Sequence, residues 1–314
     1  MTESYVIENG PYRAEVVATG AGLRVLTRDG RALTETWPVG EKPPLSAGLI
    51  LAPWPNRTRD GRFTFEGDEH QLEITEPAKN NASHGLVRRR DWTLVDHGDS
   101  RVEQTIDVGG EPGWPYPLRI SVVHALVESG LIVTHSATNT GDTDAPFALG
   151  IHAFVRAGDT PLDECTLTVP AGTRLPVDAE RNLPQGNSIP VAGTEYDLSS
   201  PRSLDGLWLD TPFSALLPDA DGITRCRLTA PDAPATVLWT DEKFPWVQVF
   251  TADPKNDQAY PDRGRALAIE PMTAPVDALN SGVDLIVLKP GETWTGTWGL
   301  GQEWSLRNDQ GEQE

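Results

Sequence analysis

The chain has 314 residues, and 26 Lys and Arg set against 46 Asp and Glu leave it a net charge of -20. Such a surface repels phosphate backbones and anionic lipid, which disfavours nucleic-acid and membrane partners and weighs against a general preference for anionic substrates. No apolar run approaches the roughly 18 residues of a membrane helix, residues 1–10 show no secretory signal, and Cys165 and Cys226 have neither CxxC nor metal-type spacing, so a cytoplasmic protein with reduced thiols is expected.

Gly and Pro, 29 and 27 of them, interrupt nearly every window long enough for an amphipathic helix, and period-two segments recur instead. The first stretch with chemical interest is Leu51-Ala52-Pro53-Trp54-Pro55-Asn56-Arg57-Thr58-Arg59-Asp60-Gly61. Its prolines rule out regular pairing, so Arg57 is expected on a rigid loop, either packing its stem at the surface or facing a site. Residues 62–67 then alternate, and 71–74 resume the pattern after a polar turn. His84 precedes Gly85, whose backbone can approach a ligand closely, the competing reading being a turn histidine. The run Arg88-Arg89-Arg90 suits phosphate, but in so acidic a chain it is expected to pair with local acids.

Residues 118–126 alternate, turn at Glu128-Ser129-Gly130 and resume over 131–135, the pattern of a hairpin. In Gly150-Ile151-His152-Ala153-Phe154-Val155 the imidazole lies among apolar strand residues. It is a core histidine bonded to a carbonyl or one half of an acid/base pair working near neutral pH. Residues 165–169, 235–239 and 246–250 read as strands, as do 285–288 and 294–300, the last two joined by the turn Lys289-Pro290-Gly291-Glu292. Asp210 follows a short apolar run, as a turn residue or as an acceptor for hydroxyls. Most of the ten Trp belong to the core or to hairpin pairs, although aromatic faces also suit sugar rings.

The stretch Ala266-Leu267-Ala268-Ile269-Glu270-Pro271-Met272 puts one carboxylate inside an apolar run. Pro271 cannot donate to a ladder, so pairing is expected to stop there. A carboxylate at the end of a buried strand is costly without partners. Sites that abstract protons need one so poised; the plain reading is a buried glutamate that satisfies backbone donors. P-loop, GxGxxG, GxSxG and HExxH motifs are absent. Chemistry by side-chain acids and bases is left, without cofactor or metal. Many short strands with neither linker nor repeat predict one all-β domain over 1–314, a sandwich or barrel, with 302–314 a frayed tail.

Taken in order, Asn56-Arg57 with Asp60-Gly61-Arg62-Phe63, His84-Gly85, Gly150-Ile151-His152, Ile269-Glu270-Pro271-Met272-Thr273 and Asp277-Ala278-Leu279-Asn280 resemble the aldose 1-epimerase (galactose mutarotase) family from about residue 20 to 300. No single motif is specific; their order is. The resemblance implies a large antiparallel β-sandwich, the galactose mutarotase-like supersandwich, with an open cleft. It also implies a cofactor-independent isomerase that interconverts the anomers of a free hexose, a small monosaccharide, and it is silent on oligomeric state. By the same resemblance Glu270 takes the place of the general base and His152 of the general acid, on opposite sides of the ring. Arg57 and His84 match sugar-binding positions, and Asp210 the aspartate that holds ring hydroxyls. After His152 the family more commonly has proline-tyrosine-phenylalanine than Ala153-Phe154-Val155, a departure that bears on sugar preference. The rival readings are an epimerase for an anionic hexose (a 6-phosphate or sulfonated sugar) gripped by Arg57, Arg59 or Arg88, a catalytically silent sugar-binding protein, and a glycoside hydrolase with Asp210 as the second carboxylate.

Overall fold

Along Leu118–Val127 buried and more exposed side chains alternate, and Ile120, Val122 and Leu126 turn inward. The chain reverses and returns as Gly130–Asn139, in register from Leu118 opposite Asn139 to Val127 opposite Gly130, the hairpin that the alternation predicts. The computed structural model describes residues 3–303, and all strand counts refer to those residues. The hairpin sits inside a nine-stranded antiparallel sheet that runs from Thr93–His97 at one edge to Arg202–Ser203 at the other, with Thr293–Gln302 beside the hairpin. A second sheet, of eight strands, centres on Asp210–Leu216, Trp246–Ala252 and Ala266–Met272. Ile120, Val122, Val133 and Leu238 of the first sheet and Phe213, Val247, Val249, Leu267 and Ile269 of the second belong to one continuous apolar core. Each such side chain stabilises the fold by about 1.5–3 kcal/mol. The protein is therefore all-β, as expected, and among the described residues no helix is long and apolar enough to cross a membrane.

Two strands of the second sheet are buried along their whole length, Trp246–Ala252 and Ala266–Met272. Period two explains how. Val247, Val249, Leu267 and Ile269 point into the main core, while Phe250, Ala252, Ala266 and Ala268 point the other way, into a separate apolar cluster with Trp37, Phe154 and Tyr260. Gln248 and Glu270, directly opposite each other in the register, share that outer face.

Pro271 does not end the strand as expected. Val247 pairs with it and Met272 is held between Trp246 and Gly150, since proline is tolerated where no ladder N–H is called for. Arg57 is likewise not on a loop; it opens the short strand Arg57–Arg59, paired with Asn81–Ser83. The Arg62–Phe65 strand returns at Asp68–Gln71, earlier than expected, because Glu66 and Gly67 both take positive φ and close a two-residue turn. The last strand runs through Gln302, and 304–314 of the expected tail lie outside the described residues. His124 and His135 are core histidines, pushed down by burial to about 3, and Trp298 donates to His135 Nε2 at 2.9 Å.

Candidate active site

The outer face of the two buried strands is the floor of a cavity of about 230 Å³. That is below the roughly 300–1,000 Å³ of drug-sized sites, and it suits one sugar unit. Arg57, His84, His152, Asp210 and Glu270 all line it, as do Glu76, Gln248, Arg88 and Phe250. Seven separate stretches of chain are thus brought to one place.

The sheet register sets the centre. Gly150 pairs with Met272 and Phe154 with Ala268, so His152, midway between them, comes to lie across from Glu270. Its Nε2 is 3.5 Å from Glu270 Oε1. The sequence places these groups, by resemblance, on opposite sides of a ring. They are neighbours on one flank instead, because adjacent segments of one sheet carry them. The His152 ring stacks on Phe154, centroids 5.3 Å apart and 20° from coplanar, with Phe250 edge-on at 6.2 Å. Ala153 accepts from the Ile269 N–H at 2.9 Å, so the segment that departs from the family pattern pairs with the strand of Glu270.

The supporting groups are fixed by one another. Arg57 is forked onto Glu76, Nε to Oε2 at 2.8 Å and Nη2 to Oε1 at 3.0 Å, and donates from Nη1 to Asn56 Oδ1 at 3.1 Å. Bidentate pairs of this kind hold the guanidinium plane as well as its position. Asp210 accepts from Gln248 at one oxygen and from Asn182 at the other, each at 2.6 Å. His84 has φ 61° and its Nδ1 accepts the Asn56 N–H at 3.2 Å, which assigns the ring proton to Nε2. The Gly85 that follows packs closely on the protein backbone: a Cβ there would sit 2.0 Å from Ala52 O.

Burial controls the charges. Glu270 is 2% exposed, and its Oε2 has no hydrogen-bond partner among the described residues. Desolvation, with Asp210 nearby, raises its pKa well above the ordinary carboxylate value, against the opposing pull of Arg57. Burial lowers His152 to about 3, and it lowers His84 well below 6.5, helped by His152 and Arg88. Burial therefore favours the uncharged forms, a carboxylic acid beside a neutral imidazole. A carboxyl whose folded pKa is raised contributes stability that is complete below pH 4.5 and lost as the pH rises through the folded value. Glu270→Gln is thus expected to raise Tm by about 2 °C or more in alkaline buffer and to leave it unchanged in acid, as thermal melts across a pH series will show.

Among the described residues no group of three His, Cys, Asp or Glu is placed to hold a metal ion. Among the described residues no Trp lines the cavity. The structure brings together all five residues singled out from the sequence. Sequence reasoning missed Gln248, although a polar residue in the outward row of an otherwise apolar strand was a usable signal. It also missed Glu76 and Asn182, which carry none.

The family model for aldose 1-epimerase matches residues 3–300. YihR of Escherichia coli (strain K12) is 31% identical over 90% of this chain and 88% of its own length. The galactose mutarotase of Homo sapiens is 28% identical over 94% of this chain and 92% of that one. Among solved structures, a GalM/aldose epimerase homologue from C. elegans superposes with a TM-score of 0.84 at 21% identity, covering 96% of this chain and 99% of that one. An Escherichia coli K12 protein described as a putative aldose 1-epimerase gives 0.79 at 23%, over 97% and 100%. These last two are likenesses of fold.

Proposed function

The chain belongs to the aldose 1-epimerase family, and from that premise we propose that it is a mutarotase, an isomerase that opens and recloses the ring of an aldohexose to interconvert its α and β anomers. The observation that carries this reading is the 3.5 Å approach of His152 Nε2 to Glu270 Oε1 on the wall of a cavity sized for one sugar. Ring opening needs a proton removed from the anomeric hydroxyl and another supplied to the ring oxygen. Both oxygens are bonded to C1, so they are close neighbours, and an acid and base side by side on one flank can serve them together.

Glu270 as carboxylate takes the O1 proton while His152 as imidazolium gives one to O5. The O1 electrons form the aldehyde carbonyl and the C1–O5 pair leaves with O5. The open chain turns about C1–C2, and closure from the other face returns both protons. After opening, the pair is a carboxylic acid beside a neutral imidazole, the form that burial favours in the empty site. In the empty site, transfer of a proton from Oε1 to Nε2 gives the carboxylate and imidazolium that meet a cyclic sugar, and ring closure regenerates them. Arg57 and Asp210 would hold hydroxyls, with the His84 Nε2–H as a further donor.

Polarimetry on freshly dissolved α-glucose and α-galactose tests the proposal. The protein is expected to speed the approach to anomeric equilibrium; no effect on these or on any other aldohexose would leave a silent binder on this fold.

A further inference from the structure

Ring opening by Glu270 and His152 does not explain the surroundings of Asp210. Among the described residues no cation lies within ion-pair distance of this carboxylate, although Arg57 shares the cavity wall with it. Amides meet its two oxygens instead, Gln248 at Oδ1 and Asn182 at Oδ2. Each amide stands in front of a cation. Gln248 Oε1 accepts from Asn56 Nδ2 at 3.4 Å, and Asn56 Oδ1 in turn accepts from Arg57. Asn182 Oδ1 accepts from Lys79 Nζ at 2.5 Å.

Lys79 can only donate, so the Asn182 oxygen turns toward it and the NH2 group toward Asp210. A cation at the oxygen of an amide polarises its N–H bonds, and in such a chain each hydrogen bond strengthens the next. Burial and Arg57 lower the Lys79 ammonium, while Glu76 and Asp210 oppose them. The charge of Lys79 thus reaches Asp210 without contact. A carboxylate has about four acceptor sites. The amides take one on each oxygen, which leaves both oxygens open to hydroxyls.

Asn182 itself does not line the cavity. It sits in a turn over 178–183 with φ 55°, the left-handed region that Asn tolerates. Asp178 closes that turn, accepting from the Arg181 and Leu183 N–H groups at 2.5 and 3.1 Å. The Arg181 side chain ties it to Lys79 O at 2.8 Å and to Asn81 Oδ1 at 3.1 Å. The segment 76–81 therefore serves two groups of the site: Glu76 orients Arg57, and Lys79 backs Asn182.

We propose that Asn182, backed by Lys79, is a positioning residue that fixes Oδ2 of Asp210, and with it the acceptor sites that hold the sugar's hydroxyls, without touching the sugar. This rests on the mutarotase reading, with Asp210 as a hydroxyl holder, and extends it to a residue behind the cavity.

Anomerisation rates of glucose and galactose, measured by polarimetry over a range of concentrations, test this with Asn182→Gly, which suits the left-handed backbone and removes the amide. KM is expected to rise about tenfold, as loss of a hydrogen bond to a charged group implies. kcat is expected to stay within about threefold of wild type, since Glu270 and His152 are untouched. Asn182→Asp keeps the shape and the acceptor for Lys79 but sets a second carboxylate against Asp210, and its KM is expected to rise at least as far. Action through Asp210 shows in the double variant: the factor in kcat/KM caused by Asn182→Gly is expected to vanish in an Asp210→Ala background, whereas a role confined to folding would give the same factor in both. An unchanged KM in Asn182→Gly, or a factor that persists in Asp210→Ala, overturns the positioning role and leaves the mutarotase reading standing. A wild-type protein that turns over no aldohexose removes that reading and this inference with it.

Discussion

Glu270→Gln is expected to lower the rate of anomerisation by about 10²–10⁴-fold with little change in KM. The substitution keeps the volume of the side chain and its place opposite Gln248 on the cavity floor. It removes the ability to take a proton from O1, while Arg57, His84 and Asp210, the groups proposed to hold the sugar, are untouched. A loss confined to kcat is what removal of a proton acceptor produces. The result also separates an enzyme from a binder, since a binder would hold sugars with the same affinity and turn over none in either form. Retention of more than about a tenth of the wild-type rate would remove Glu270 from the chemistry, whatever the protein does.

His152→Gln is expected to lower kcat by a similar factor, about 10²–10⁴, and the double variant with Glu270→Gln is expected to be no slower than either single one. In the proposed mechanism the two groups, 3.5 Å apart, pass one proton between them, so removing one already disables the other, and groups that act as a unit are strongly non-additive. The wild-type pH profile follows from the same pair. Its active form carries one proton. A second is added only when His152 is protonated as well, near its lowered value of about 3; the single proton is lost only above the raised value of Glu270. The plot of kcat/KM against pH is thus expected to show no fall on acidification through 6.5, where an ordinary histidine titrates, and to fall as the pH rises past the raised value of Glu270. Its breaks belong to the pair and not to either residue alone. A profile that falls on acidification through 6.5 would mean that His152 is solvated and ordinary, against its burial in the structure.

The parts of the site that were legible in the sequence are those where a polar residue breaks an apolar period. Glu270 in Ala266–Met272 and His152 beside Gly150–Ile151 are both conspicuous because their strands are buried on two faces. Hairpins were legible for a related reason, as with Leu118–Val127 and Gly130–Asn139, where alternation and a Gly turn agree. Proline at 271 misled because its effect on pairing depends on whether a neighbour needs its N–H, which is a property of the sheet and not of the strand. Glu76 and Asn182 were illegible: each acts by reaching a residue that only the fold brings near, Arg57 in one case and Asp210 in the other. Within the run 88–90, Arg90 pairs with Glu111 whereas Arg88 donates to Ser46 Oγ, because overall acidity says nothing about which particular arginine finds an acid.

The strands Trp246–Ala252 and Ala266–Met272 carry the cavity floor and the structural interior on opposite sides of the same backbone. Val249 and Ile269 are one peptide away from Gln248 and Glu270, and close-packed interiors pass a change of even one methylene to their surroundings. Trimming either residue is therefore expected to shift the proposed chemistry without removing any atom that lines the cavity. For anyone redesigning this molecule for heat tolerance, those hidden positions are where gains in rigidity and losses in turnover become the same event.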